Sequence, residues 1–137
     1  MQSTHVHRIE LQTTASSQML AVTEQVQQAV RSEGVTEGLC HIYVPHTTAA
    51  LTINENADPT VVQDVLHTVD KLIPLRDPAY LHMEGNSAAH VKAIFFGTSQ
   101  SVPIADNRLV LGTWQGIFFC EFDGPRRRHF FVKVMAG

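Results

Sequence analysis

From Gly97 onward the chain carries strand signals and nothing else, whereas its helical stripes all fall before that glycine. Val102 to Ile104, Leu109 to Leu111, Thr113 to Phe122 and Arg128 to Met135 are short apolar or alternating runs. Turn formers separate them at Ala105-Asp106-Asn107 and Asp123-Gly124-Pro125, and so short a spacing predicts antiparallel hairpins. Helices first and strands gathered afterwards give an α+β domain.

The earlier residues supply the helices and the remaining strands. Across residues 5–13, Ile9, Leu11 and Thr13 alternate with Arg8, Glu10 and Gln12, the period of a half-buried strand. From Ser17 the period changes. Met19, Val22, Val26, Ala29 and Val30 share one helical stripe, with Ser16 or Ser17 as cap and Gly34 as stop. Gly38 to Val44 reads as a strand closed by Pro45, and Ala50 to Asn54 as another, leaving His46-Thr47-Thr48 as the turn between them. Asp58 caps a second helix with Pro59 at its first position. Its stripe is Val62, Val65, Leu66, Val69 and Leu72, and it ends before Pro74. After a loop over 74–85, Asn86 or Ser87 caps a third helix of about nine residues, which Gly97 ends in the αL conformation.

The 137 residues suffice for one core, and no internal repeat, low-complexity tract or linker divides them, so 1–137 is expected to be a single domain. A 44% apolar and 17% charged composition argues against disorder. No apolar run approaches the roughly 20 residues that span a bilayer. Met1-Gln2-Ser3-Thr4-His5 lacks a signal-peptide pattern, so the chain is expected in the cytoplasm. A net charge of −3 with interspersed signs gives no reason to expect nucleic acid or a membrane surface as partner. Cys40 and Cys120 read as free thiols; between Phe119 and Phe122, Cys120 is better placed as a buried inert thiol than as a nucleophile.

Chemistry concentrates in His82-Met83-Glu84-Gly85-Asn86-Ser87-Ala88-Ala89-His90-Val91-Lys92. His82 falls in a loop and His90 inside a helix, a separation that a loop and one helical turn can close. Zinc would accept both imidazoles with a third ligand such as His46, leaving a position open; otherwise these histidines cap or face solvent. Glu55 is a candidate general base or orienting carboxylate, while Asp58 is already accounted for as a cap. Gln115 and Glu121 lie in an otherwise apolar strand and each needs a partner if buried. Gly112 and Gly116 around Trp114-Gln115 suggest a bulge or a close backbone approach. In a regular strand Gln115, Ile117, Phe119 and Glu121 share one face, and Trp114, Phe118, Cys120 and Phe122 the other. Within Arg126-Arg127-Arg128, Arg128 is the best candidate to grip an anion, the alternative being a solvated turn that pairs with Asp123.

Taken together, His46-Thr47-Thr48-Ala49-Ala50, Asn54-Glu55-Asn56-Ala57-Asp58-Pro59, Glu84-Gly85-Asn86 with His90-Val91-Lys92, and Gly112-Thr113-Trp114-Gln115-Gly116 closely resemble the YjbQ family, also called UPF0047. The resemblance implies an α+β fold with a β-sandwich-like core and about three helices, assembled as a homotrimer. Members of that family resemble secondary thiamine-phosphate synthases. Transferred residue by residue, it implies a pocket with His46, His82 and His90 as ligands of a divalent metal, zinc favoured. Glu55, Gln115 and Glu121 would be catalytic, and Asp58, Lys92 and Arg128 would contact a small, phosphorylated ligand. The competing expectation is a trimeric metal- or ligand-binding protein without catalysis.

Overall fold

The computed structural model describes residues 5–137, so the reading of Met1 to Thr4 lies outside the described residues. In chain order the elements are β1 (Val6–Gln12), β2 (Gln18–Ala21), α1 (Thr23–Glu33), β3 (Gly38–Tyr43), β4 (Ala49–Glu55) and α2 (Pro59–Leu72). They continue with α3 (Ser87–Phe96), β5 (Ser99–Ala105), β6 (Arg108–Leu109), β7 (Gln115–Glu121) and β8 (Arg127–Ala136). The strands form two antiparallel sheets, one in the order β1-β8-β3-β5-β6 and a smaller one in the order β2-β7-β4. The result is a single-domain α+β fold of two sheets and three helices.

The parity of β7 organises the interior. Ile117 and Phe119 point into the main core with Val26 and Val30 of α1, Ile42 of β3 and Phe130, Val132 and Val134 of β8. Phe118, Cys120 and Phe122 point the other way, into a second cluster with Ala89 and Ala93 of α3. With apolar matter on both faces, the interior of β7 has no polar side to show, and Ile117 to Cys120 form a continuous apolar run between Gln115 and Glu121. The β4–β7 ladder stays in register from Ala49 opposite Glu121 to Glu55 opposite Gln115, with no bulge. Gly116 satisfies the other expectation, since a Cβ there would lie 2.6 Å from the Cβ of Asn56.

Four local expectations are corrected. Residues 18–21 are strand, not helix, because Met19 and Leu20 pair with Cys120 and Phe119 of β7. The helix begins only at Thr23, where the backbone N–H of Ile117 donates to Thr23 Oγ1 at 2.9 Å, and Val22 at the cap position offers no side-chain bond. β7 and β8 are not a hairpin: the turn at Asp123-Gly124-Pro125 carries the chain from the small sheet to the large one. β5 and β6 do form one, through Asp106 and Asn107 at φ 52° and 60°, as a type I′ turn requires. Asn86 stands at the cap position of α3 but spends its amide on Asp123 Oδ2 at 2.9 Å rather than on the helix. Gly97 ends α3 at φ 93° and ψ 165°, which is outside the αL region.

α2 begins as its sequence demands, with Asp58 accepting from the Thr60 N–H and Pro59 at the first position. None of its residues is buried, although Val62 and Leu66 pack against the second cluster.

Candidate functional site

Several of the expected site residues are consumed by the fold. Glu55, at the end of β4, accepts from the backbone N–H groups of Ala57 and Asp58 at 3.0 and 3.3 Å, and fixes the turn into α2. Asp58 accepts from the Thr60 hydroxyl and N–H, bonds that hold its carboxyl below the ordinary range. Gln115 is exposed and accepts from the Gly112 N–H at 2.8 Å, closing the Gly112–Gln115 turn. Lys92 is buried against the Phe122 ring and bonded to Asp70.

Glu121 and Arg128 find each other. Both are buried, and Glu121 also accepts from the Thr13 hydroxyl and the Asp123 N–H at 2.9 Å each. Arg128 extends a third bond to Thr48 Oγ1 at 2.9 Å. The pair therefore anchors the His46-Thr47-Thr48 turn from behind. The neighbouring Arg126 pairs with Asp123 at the surface, as the alternative for that cluster anticipated.

His46 itself sits between β3 and β4, its Nε2 within 2.9 Å of the His129 carbonyl oxygen and 3.2 Å of the His129 nitrogen. Burial lowers its pKa, and the Arg128 cation and His129 add to the effect against the opposing pull of the His129 carbonyl. The imidazole is thus neutral at pH 7, in the form that binds ligands. His46 and Thr47 share a cavity of about 290 Å³ with His90, Ala93, Ile94 and Thr98. The His82 ring lies against that of His90, with centroids 5.4 Å apart and planes nearly perpendicular. His90 thus shares a cavity with His46 and a ring contact with His82, while His82 lines a separate cavity with Arg76, Asp77 and Tyr80. Lys92 lines a different cavity, with Asn86 and Asp123, and Glu55 and Asp58 another beside Trp114.

The donors of His46, His82 and His90 do not converge in one chain. Among the described residues, the group of three metal-type donors with ligand atoms within 4.8 Å of one another is His5, His7 and Glu33. The sequence signal for it was His5-Val6-His7, two imidazoles at strand period, in a segment read only for its apolar alternation. Cys40 and Cys120 are buried, with thiols pushed up to about 12 by burial, which leaves neither as a nucleophile.

A two-sheet α+β domain with a histidine surface between the β3–β4 turn and α3 defines a recognisable class of small protein. The chain belongs to the UPF0047 protein YjbQ-like family, whose profile matches residues 7–137. It is 48% identical over 128 residues to the UPF0047 protein YugU of Bacillus subtilis, covering 93% of this chain and 97% of that one. A UPF0047 protein of Methanocaldococcus jannaschii is 46% identical, covering 94% and 93%. Among solved structures, an uncharacterized YjbQ/UPF0047-family protein of Clostridium acetobutylicum superposes with a TM-score of 0.92 at 48% identity, over 94% of this chain and 99% of that one. A protein of unknown function from Sulfolobus solfataricus gives the same TM-score at 32% identity, over 97% of each chain.

Proposed function

We propose that the surface formed by His46, His82 and His90 binds a small phosphorylated or heteroaromatic ligand in a cytoplasmic homotrimer, and that the candidate reaction is the joining of thiamine-phosphate precursors. The observation that carries the binding site is the meeting of His46 and His90 in one cavity, with His82 in contact with His90. A neutral imidazole and a helix-borne imidazole side by side can accept, donate and share a proton with a phosphate or a ring nitrogen. A divalent ion, zinc by the preference of nitrogen donors, belongs to the same proposal, held by these histidines. Within one chain these donors do not converge, so a shared ion would need a small rearrangement or ligands from a second copy.

Assembly is part of the reading. Ile94 and Phe95, on the outer side of α3 beside this cavity, are 80% and 76% exposed, and α2 buries no residue. Exposed apolar side chains of this size on α3 support covering by other copies of the chain.

A second reading, a trimeric binding protein without catalysis, is favoured by the carboxylates. Glu55 and Asp58 are bonded to their own backbone and Glu121 to Arg128, so each is committed to an internal partner. Turnover separates the two. Purified protein supplied with zinc or magnesium is given the pyrimidine diphosphate and the thiazole phosphate, and thiamine phosphate is followed by chromatography. Formation that His46→Ala and His90→Ala both abolish supports catalysis. No product, with thiazole phosphate binding weakened about tenfold or more in the same variants, leaves the binding protein. Binding unchanged in both variants removes the histidine surface from the function.

A further inference from the structure

We propose a second, separate metal site: His5, His7 and Glu33 bind a divalent ion of zinc type that pins the edge strand β1 to the carboxyl end of α1.

Three features build it. His7, Ile9 and Leu11 lie on the inward face of β1, and His5 continues that parity toward α1. Glu33 is the last residue of α1, before Gly34 turns the chain at φ 65°. Its carboxylate is almost buried and receives both imidazoles, His7 Nε2 at 2.5 Å and His5 Nδ1 at 3.3 Å from the same oxygen. The two rings stand 4.2 Å apart, tilted by 37°.

A carboxylate at this place runs against the helix dipole, whose carboxyl end carries partial negative charge, so cationic compensation is required. Lys and Arg are the usual source. Arg31 stands in the last turn of α1, but the groups in contact with the Glu33 carboxylate are two imidazoles, side chains that also bind borderline metals well. Two nitrogens and one carboxylate oxygen are a common three-ligand set for tetrahedral zinc, whose ligand atoms lie ~3.3 Å apart when each bond is ~2.0 Å. The His5–Glu33 spacing already has that value. Closure requires the His7–Glu33 hydrogen bond to open by less than 1 Å and His5, largely exposed, to swing inward. Zinc bound at His7 Nε2 takes the place of the His7–Glu33 hydrogen bond, any proton on that nitrogen passing to solvent or to Nδ1, and leaves the fourth position to water.

The site is independent of the histidine cavity around α3, and a zinc titration with five proteins tests it. The full chain, stripped with chelator, is titrated with Zn²⁺ in competition with a chromophoric chelator, alongside His5→Ala, His7→Ala, Glu33→Gln and His90→Ala. Cobalt(II) absorption provides a second readout of coordination geometry. The expected result is a zinc equivalent, with cobalt bands of tetrahedral intensity, that His90→Ala retains and Glu33→Gln and His7→Ala lose, separate from any equivalent held by the surface around α3, which Glu33→Gln leaves in place. His5→Ala, which alters an exposed side chain and keeps the fold, weakens binding at Glu33 about tenfold or more. Zinc stoichiometry equal in the parent, Glu33→Gln and His5→Ala overturns the proposal. So does zinc binding that only His90→Ala removes, which would assign the metal to the other surface.

Discussion

Arg128 grips Glu121 with two bonds, Nε to Oε1 at 2.8 Å and Nη2 to Oε2 at 2.5 Å, and neither side chain is more than 4% exposed. Glu121 ends β7 in the small sheet and Arg128 lies in β8 of the large one, so the pair joins the sheets at their corner. Removing either partner strands a buried charge. Arg128→Met and Glu121→Gln should each cost about 3–5 kcal/mol, measured by urea unfolding, with the double variant Glu121→Leu/Arg128→Met losing less than their sum. Single losses below about 1 kcal/mol would show the pair to be dispensable.

The same carboxylate sets an acid limit. Burial alone would raise the Glu121 pKa, but the bonds from Arg128, Asp123 and Thr13 outweigh it and lower the value. A carboxyl depressed in the folded state adds stability above the unfolded pKa of about 4.3 and loses it as pH falls further. The parent protein should therefore lose stability below about pH 4 more steeply than Glu121→Gln. Parallel curves for the two proteins in that range would exclude Glu121 as the source.

Gly116 is required by its neighbour. A methyl group there meets the Cβ, Cγ and Nδ2 of Asn56 at 2.6–2.8 Å, and β4 and β7 cannot separate without breaking their ladder. Gly116→Ala should cost about 1–3 kcal/mol of overpacking. Asn56→Gly in the same chain removes all three atoms and should restore part of it. A double variant no more stable than Gly116→Ala would disprove the steric account.

Exposed Phe95 offers a test of assembly that leaves the core alone. Phe95→Glu places a charge on the outer side of α3 and, if copies of the chain cover this face, should lower the mass measured by light scattering from that of a trimer to that of a monomer, with the circular dichroism spectrum unchanged. An unchanged mass would place the subunit contacts elsewhere, and a monomeric parent would end the trimer proposal.

What could be read in advance was whatever depends on a residue's own period or cap. The Asp58-Pro59 helix start, the face parity of Ile117, Phe119 and Glu121 against Phe118 and Cys120, and the Asp106-Asn107 turn are of this kind. Residues 18–21 were misread because Met19 and Val22 fit a helical stripe equally well, and only pairing with Phe119 and Cys120 selects the strand. The β7–β8 connection has the composition of a hairpin, yet both strands already have two neighbours in their own sheets. At the site, the meeting of His46 with His90 joins a turn to a helix more than forty residues away, which no spacing rule specifies. The partnership of Glu121 with Arg128 was foreseeable as a need, since each was expected to require a counter-charge or to seek an anion, but not as a pair.

The position of β8 has a consequence for biosynthesis. It lies between β1, the first described strand, and β3; β3 can pair with β5 earlier, but β1 has no neighbour in its sheet until β8 has been made. Chain elongation at about 5–20 residues per second leaves the backbone edge of β1 without a strand partner throughout synthesis of the intervening residues. The large sheet must then close after β8 leaves the ribosome, in a single late step that joins the oldest and newest parts of the polypeptide. Nascent chains stalled before Arg127 are accordingly the form of this protein most dependent on chaperones.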